Sequence, residues 1–194
     1  MSLIPAFEIG IWNAWIFMLW SWLDMFALRL AGKEICQRAS GLASEMKTSR
    51  AYKIISYVSM LTELMAIAYS VFLPFKLGTI WFYTGLPIFL LGLVVLTVAS
   101  VNFAVAPMNE PITRGMYRYS RHPLYLALLF IYLSVGIASA SWVFLLVFIV
   151  QLVSISIAAV REERFCLEKY GDTYREYMNR TPRWIGIPKS EAKS

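Results

Sequence analysis

Charge is scarce in this sequence: Asp, Glu, Lys and Arg make up 15% of its 194 residues, against 59% that are hydrophobic. Soluble domains carry about 25% charged and about 45 to 50% apolar residues, so a water-soluble fold is excluded. Histidine occurs once, at His122, and cysteine twice, at Cys36 and Cys166. That supply is too small for a zinc site of the usual His/Cys spacing or for a disulfide framework, so no metal is expected and both thiols should be free. No two of the ten glycines are separated by a single residue, which removes the G-x-G-x-x-G nucleotide fingerprint. No cationic stretch precedes the first apolar run and no small-residue cleavage pattern follows it, so no removable signal peptide is expected and Met1 onward reads as mature sequence. In so apolar a chain the net charge of +6 is first a topology signal, and no nucleic-acid partner is expected.

What the sequence does have is long apolar runs. Four stand out: Ile9 to Leu28, broken by Asp24; Ile54 to Phe75, broken by Glu63; Leu77 to Asn109, without charge; and Leu124 to Val160, also without charge. The last is too long for one helix across a hydrocarbon core of about 30 Å. Its weakest helical point, Gly136 to Ser141, marks a turn between two legs. The expectation is an all-α integral membrane protein, residues 1–194 forming a single membrane domain of five transmembrane helices, the last two a tight helical hairpin.

Of the 18 Lys and Arg, six lie from Arg29 to Lys53, three are Arg114, Arg118 and Arg121, eight follow Val160, and only Lys76 falls between the second and third runs. The positive-inside rule then puts the N-terminus outside and the C-terminus in the cytoplasm. The third run repeats a small residue every seven positions, at Gly78, Gly85, Gly92, Ala99 and Ala106. This is a pattern of close packing against a neighbouring helix, in a monomer or, secondarily, at the seam of a weak homodimer.

Two polar clusters bracket the predicted hairpin. In the first, Thr113 to Tyr125, His122 and Tyr125 share one face of a helix whose first turn accepts Pro123. The second is Arg161-Glu162-Glu163-Arg164, where the fifth run leaves the membrane, followed by Tyr170-Gly171, Tyr174 and Tyr177. A short turn makes the two legs antiparallel neighbours, so the clusters meet on one side. Cations, tyrosines and carboxylates at such a boundary also serve as orientation signals and interfacial anchors; their order is what informs.

Arg121-His122-Pro123-Leu124-Tyr125, preceded by Gly115-Met116-Tyr117 and followed by Glu162-Glu163, Tyr170-Gly171, Tyr174, Tyr177 and Pro182-Arg183, resembles the isoprenylcysteine carboxyl methyltransferase family, within a wider group that includes phospholipid methyltransferases. The resemblance covers residues 102–184. It implies a membrane enzyme that binds S-adenosylmethionine, and releases S-adenosylhomocysteine, with its last helices and a cytosolic C-terminal tail completing the pocket. Carried over by position, it implies that His122, Pro123, Leu124 and Tyr125 contact the cofactor, with Tyr117 one loop earlier. Glu162 would hold the cofactor's ammonium or ribose hydroxyls, while Asn109, Glu110, Pro111 and Ile112 would lie along it and Asn102 close by. Two positions depart from the pattern. Ala127 stands where many relatives have glycine, and Ala158 stands where the family places an arginine for the substrate carboxylate. Arg161, Arg164 and Arg183 are the cations within reach to replace it.

The function implied is methyl transfer to a lipophilic acceptor at the membrane, first carboxyl O-methylation of a prenylcysteine-like substrate, second methylation of a phospholipid or other small lipid. An NADPH-dependent sterol-type reductase and a non-catalytic protein that holds anionic lipid are the rival classes. A carboxylate acceptor is already ionised at neutral pH and needs no base, whereas an amine would make Glu163 the candidate base. Positioning would then supply about 7 to 11 kcal/mol of the acceleration. The expected partners are a lipophilic or prenylated substrate and membrane lipid. Glu63, near the middle of its run, is either a buried hydrogen-bond acceptor or part of the acceptor pocket. Asp24 has no assigned role.

Overall fold

The computed structural model describes residues 7–19, Leu23, 49–107 and 110–187. Among them the fold is all-helical, with no strands and one isolated antiparallel bridge, Asn13 to Pro74. The helices are α1 (Arg50–Ser70), α2 (Ile80–Ala104), α3 (Pro123–Ala138), α4 (Trp142–Tyr170) and α5 (Asp172–Arg180), with a 3-10 turn at Gly115–Arg118. Three of them, α1, α2 and α4, are long and apolar enough to cross a membrane, and α3 is a shorter apolar helix.

Local chemistry sets these boundaries. The Ser49 hydroxyl caps α1 by accepting from the Tyr52 amide at 3.3 Å, and Ser141 caps α4 by accepting from Phe144 N at 3.3 Å. Such caps satisfy amide donors that have no partner inside the helix. Pro123 opens α3 at a position where its missing N–H costs nothing. The connection between α3 and α4 falls at residues 139–141, inside the Gly136 to Ser141 stretch. The 29 residues of α4 extend about 44 Å at 1.5 Å per residue. That exceeds the apolar layer, so its charged end from Arg161 onward stands clear of the apolar segment 142–160.

The expected first span is corrected at its start. Residues 7–14 do not form a helix; helix begins at residue 15. The reason is a competing set of partners in the loop after α1. Glu8 N donates to Phe72 O at 2.9 Å, Ala14 N to Leu73 O at 2.8 Å, and Phe75 N to Trp12 O at 3.1 Å. The Asn13 amide donates to Glu8 O at 2.6 Å and Val71 O at 2.7 Å. A buried Asn that satisfies backbone carbonyls on two segments outweighs a helical turn there. The same pairing ends the second run at Ser70 instead of Phe75. Residues 20–22 and 24–28 of the first expected span, Asp24 among them, lie outside the described residues, as do Cys36 and Asn109.

The core sits where residues 15–19 meet α2 and α3. Phe17 stacks on Phe89 at 3.9 Å between ring centres, and Leu96, Ile131, Val135 and Phe144 are buried beside it. The small-residue stripe is part of this packing. A Cβ on Gly85 would stand 2.6 Å from Ala138 Cβ and 2.7 Å from Ala138 N, and one on Gly92 would stand 3.0 Å from Phe130 Cβ. These glycines therefore let α2 and α3 approach backbone to backbone, the device that helices use where lipid supplies no hydrophobic drive. Gly78 precedes α2 and Ala106 follows it, so the seam uses the middle of the repeat. On its other face α2 exposes Leu90, Val94 and Val101, as a lipid-facing helix does.

Candidate active site

The site forms where the start of α3 meets the charged end of α4. His122 is the residue before α3, and its backbone is held by the Ser120 hydroxyl, which accepts from His122 N at 3.1 Å. The ring is buried and points across to α4. Its Nδ1 lies 3.4 Å from Glu162 Oε2 and its Nε2 lies 3.3 Å from Glu163 Oε1. Two adjacent helical residues normally diverge by about 100°; a ring with two nitrogens spans both. Tyr125, one turn into α3, stacks on His122 at 5.5 Å and 11° and hydrogen-bonds Glu162.

Glu163 is the hub. Arg183 grips it in a forked pair, Nε to Oε1 at 2.9 Å and Nη2 to Oε2 at 2.7 Å, the strong two-bond geometry of guanidinium and carboxylate. Arg121 Nε stands 3.3 Å from the same carboxylate. Burial alone would push the Glu163 carboxyl up, yet His122 and Arg183 hydrogen bonds and the Arg121 charge pull it down to about 2. Burial likewise opposes charge on His122, but the hydrogen bonds and charges of Glu162 and Glu163 outweigh it and leave the imidazolium favoured above the ordinary 6.5.

Arg183 reaches the hub because the chain after α5 folds back over the site. Arg121 N donates to Pro182 O at 3.1 Å and Gly186 N to Tyr119 O at 3.1 Å, and the Ser120 hydroxyl donates to Arg183 O at 3.2 Å. Trp184 then lies tilted against His122, 6.3 Å between ring centres. Beneath this strap Tyr177 donates from its hydroxyl to Tyr117 O at 2.7 Å, with Tyr174 edge-on to it.

Of the residues expected from sequence, His122, Tyr125, Glu162, Glu163 and Arg183 come together here. Pro123 is buried as the first residue of α3, and Leu124 packs toward the core. Tyr117 is buried beneath the strap. Asn102 accepts from Met116 N at 2.8 Å and its side chain fills the space a Cβ on Gly115 would need, at a backbone φ of +63° that glycine adopts freely. It thus fastens the end of α2 to the 3-10 turn. Glu110 is exposed and Pro111 and Ile112 are half-buried. Arg161 lies over the Tyr52 ring, 3.8 Å from its centre, so it faces α1 and not the hub. Arg121 and Trp184 were missed as site residues; adjacency to His122 and Arg183 was the signal that would have found them. Among the described residues no group of carboxylates, thiols and histidine is arranged to hold a metal.

A second feature lies between α1, α3 and α4, a cavity of about 490 Å³ whose wall includes Tyr125, Glu63, Tyr132, Gln151 and Ala158. Tyr125 belongs to both regions.

Fold and site together define a helical integral membrane protein with an ionised, aromatic-lined site where two of its helices end. A family model for phospholipid methyltransferases matches residues 77–173, half of the chain. The chain belongs to that family, in the wider group of integral membrane methyltransferases that also contains the isoprenylcysteine carboxyl methyltransferases. The match takes in His122, Glu162 and Glu163 and leaves out α1 and Arg183. No individual curated protein matches the chain.

Proposed function

We propose that the protein transfers the methyl group of S-adenosylmethionine to a small-lipid acceptor, on a frame of five transmembrane helices with the N-terminus outside and the cluster facing the cytoplasm. The observation that carries this reading is the interlocked set His122, Glu162, Glu163 and Arg183, drawn from three separate segments and closed by the strap. The donor set suits that cofactor. Glu162 is 32% exposed where Glu163 is 3% exposed, so one carboxylate is open to an ammonium while the other is consumed by the protein. The rings of Tyr125 and Trp184 offer faces for a purine and a sulfonium.

When bound, the cofactor supplies an electrophilic methyl group on a positively charged sulfur with a neutral leaving group. The protein's own residues then have positioning work to do. Glu163, held low by its cations, is a poor proton acceptor, and its role is to fix His122 and the strap. His122 and Tyr125 hold Glu162 in place, and the strap keeps bulk water from the site. Methylation of a lipid without a carboxylate is supported better than that of a prenylcysteine carboxylate. Orienting a carboxylate takes a cation, and here Ala158 is neutral, Arg183 is held by Glu163, and Arg161 lies over Tyr52.

Calorimetry with S-adenosylhomocysteine on the detergent-purified protein tests the cofactor, and labelled methyl transfer to lipid vesicles or to a prenylcysteine analogue tests the acceptor. Binding with transfer to lipid is expected. Binding of a nicotinamide cofactor and not of the thioether would move the protein to the reductase class.

A further inference from the structure

The cavity between α1, α3 and α4 has a chemistry of its own. Its volume of about 490 Å³ is in the range of small-molecule sites, about 300 to 1,000 Å³, in a class of structure whose interiors otherwise close to crystal-like density. Most of the wall is apolar, with Leu128 and Ile155 among its residues. Its polar groups come from all three helices. Ser59 donates from its hydroxyl to Gln151 Oε1 at 2.7 Å and Gln151 Nε2 donates to Ser59 O at 3.1 Å, so those two satisfy each other. Glu63 has Tyr132 as its hydrogen-bond partner. That hydroxyl fills one of about four acceptor positions on a carboxylate. Among the described residues lining the cavity Glu63 is the one carboxylic side chain, and no Lys or Arg is among them.

A carboxyl group in a low-dielectric wall with no cation beside it has spare capacity for a positive ligand and repels a negative one. A phosphate or carboxylate beside Glu63 would meet no cation among the residues that line the cavity. We infer that the cavity binds a lipophilic amine, its ammonium on Glu63 and its chain along the apolar wall. This rests on the methyltransferase reading and narrows it, since the acceptor becomes an uncharged-tail amine in place of a zwitterionic phospholipid. Tyr125 connects the two sites, stacking on His122 at one face and walling the cavity at the other. Before transfer the ammonium gives one proton to the Glu63 carboxylate; the freed nitrogen lone pair then forms the N–CH3 bond as the C–S bond breaks, its electron pair stays on sulfur as a neutral thioether, and the product is the methylated ammonium. Glu63 lies on α1, outside the segment that the family model matches, so the selectivity belongs to this chain's own α1.

The test uses three probes of equal chain length, decylamine, decanol and decanoate, with binding measured on the full chain in nanodiscs, and S-adenosylhomocysteine binding measured on the same samples. The wild type should prefer decylamine to decanol by about tenfold or more. Glu63→Gln should erase that preference while keeping decanol and thioether binding, and Ala158→Arg should turn it toward decanoate. Equal binding of all three probes by the wild type, or an amine preference that survives Glu63→Gln, overturns the inference while thioether binding leaves the methyltransferase reading standing. Amine selectivity without thioether binding does the reverse. Loss of thioether binding in a folded Glu63→Gln would mean that the cavity holds the cofactor, and would also overturn it.

Discussion

Glu163 at the charged mouth and Glu63 beside the cavity are both glutamates projecting from apolar helices, and their surroundings treat them oppositely. Glu163 is surrounded by Arg183, Arg121 and His122 and has no capacity left; Glu63 has a tyrosine hydroxyl and open space. The first arrangement spends a carboxylate on structure, tying the C-terminal strap to two helices. The second leaves a carboxylate for a ligand. A charge in an apolar setting is thus informative only together with its partners, because pairing is what converts an expensive group into a fastener.

The largest break in that contrast should come from Glu163→Leu. Removing the hub leaves three cations facing one another, and breaking a buried ion pair costs about 3 to 5 kcal/mol. Thermal unfolding should show that loss, and calorimetry should show S-adenosylhomocysteine binding abolished with it; a stability within error of wild type would mean that the strap is held elsewhere. Glu162→Gln sharpens the distinction between the two adjacent carboxylates. Because Glu162 is partly open, stability should change little while thioether affinity falls by about 1.5 to 3 kcal/mol, the worth of one hydrogen bond to a charged group.

A pH series separates the histidine from the carboxylate. His122 is favoured charged above 6.5, so its contribution is complete below 6.5 and is lost as pH rises through its folded value. Glu163, lowered from 4.5 to about 2, contributes fully above 4.5 and loses this as pH falls toward 2. The unfolding midpoint should therefore decline on both sides, and His122→Gln should flatten the alkaline decline and, by removing one hydrogen bond that holds Glu163 low, also reduce the acid one. The smallest effect belongs to the cavity. Gln151→Leu removes the pairing with Ser59 and should cost about 1 kcal/mol, with thioether affinity unchanged. A fall in that affinity would join the two regions that the comparison keeps apart.

The helical membrane character, the break inside the last long run, and the meeting of His122 with Glu162 and Glu163 were legible in the sequence. They depend on local properties: apolar length, weak helical residues at 136–141, and the fixed geometry of neighbours on a helix. Three features were decided only by tertiary structure. Residues 9–14 read as the start of the first span, but Asn13 finds a carbonyl on the loop after α1, a partner that periodicity cannot reveal. Arg183 reads as an acceptor ligand until the strap brings it onto Glu163. Glu63 reads first as a structural acceptor and second as a pocket residue until α1, α3 and α4 leave a space beside it. Composition and spacing fix what each segment tends to do in a membrane, whereas the partner of a charge lies at long range, and that partner decides whether the charge is spent or available.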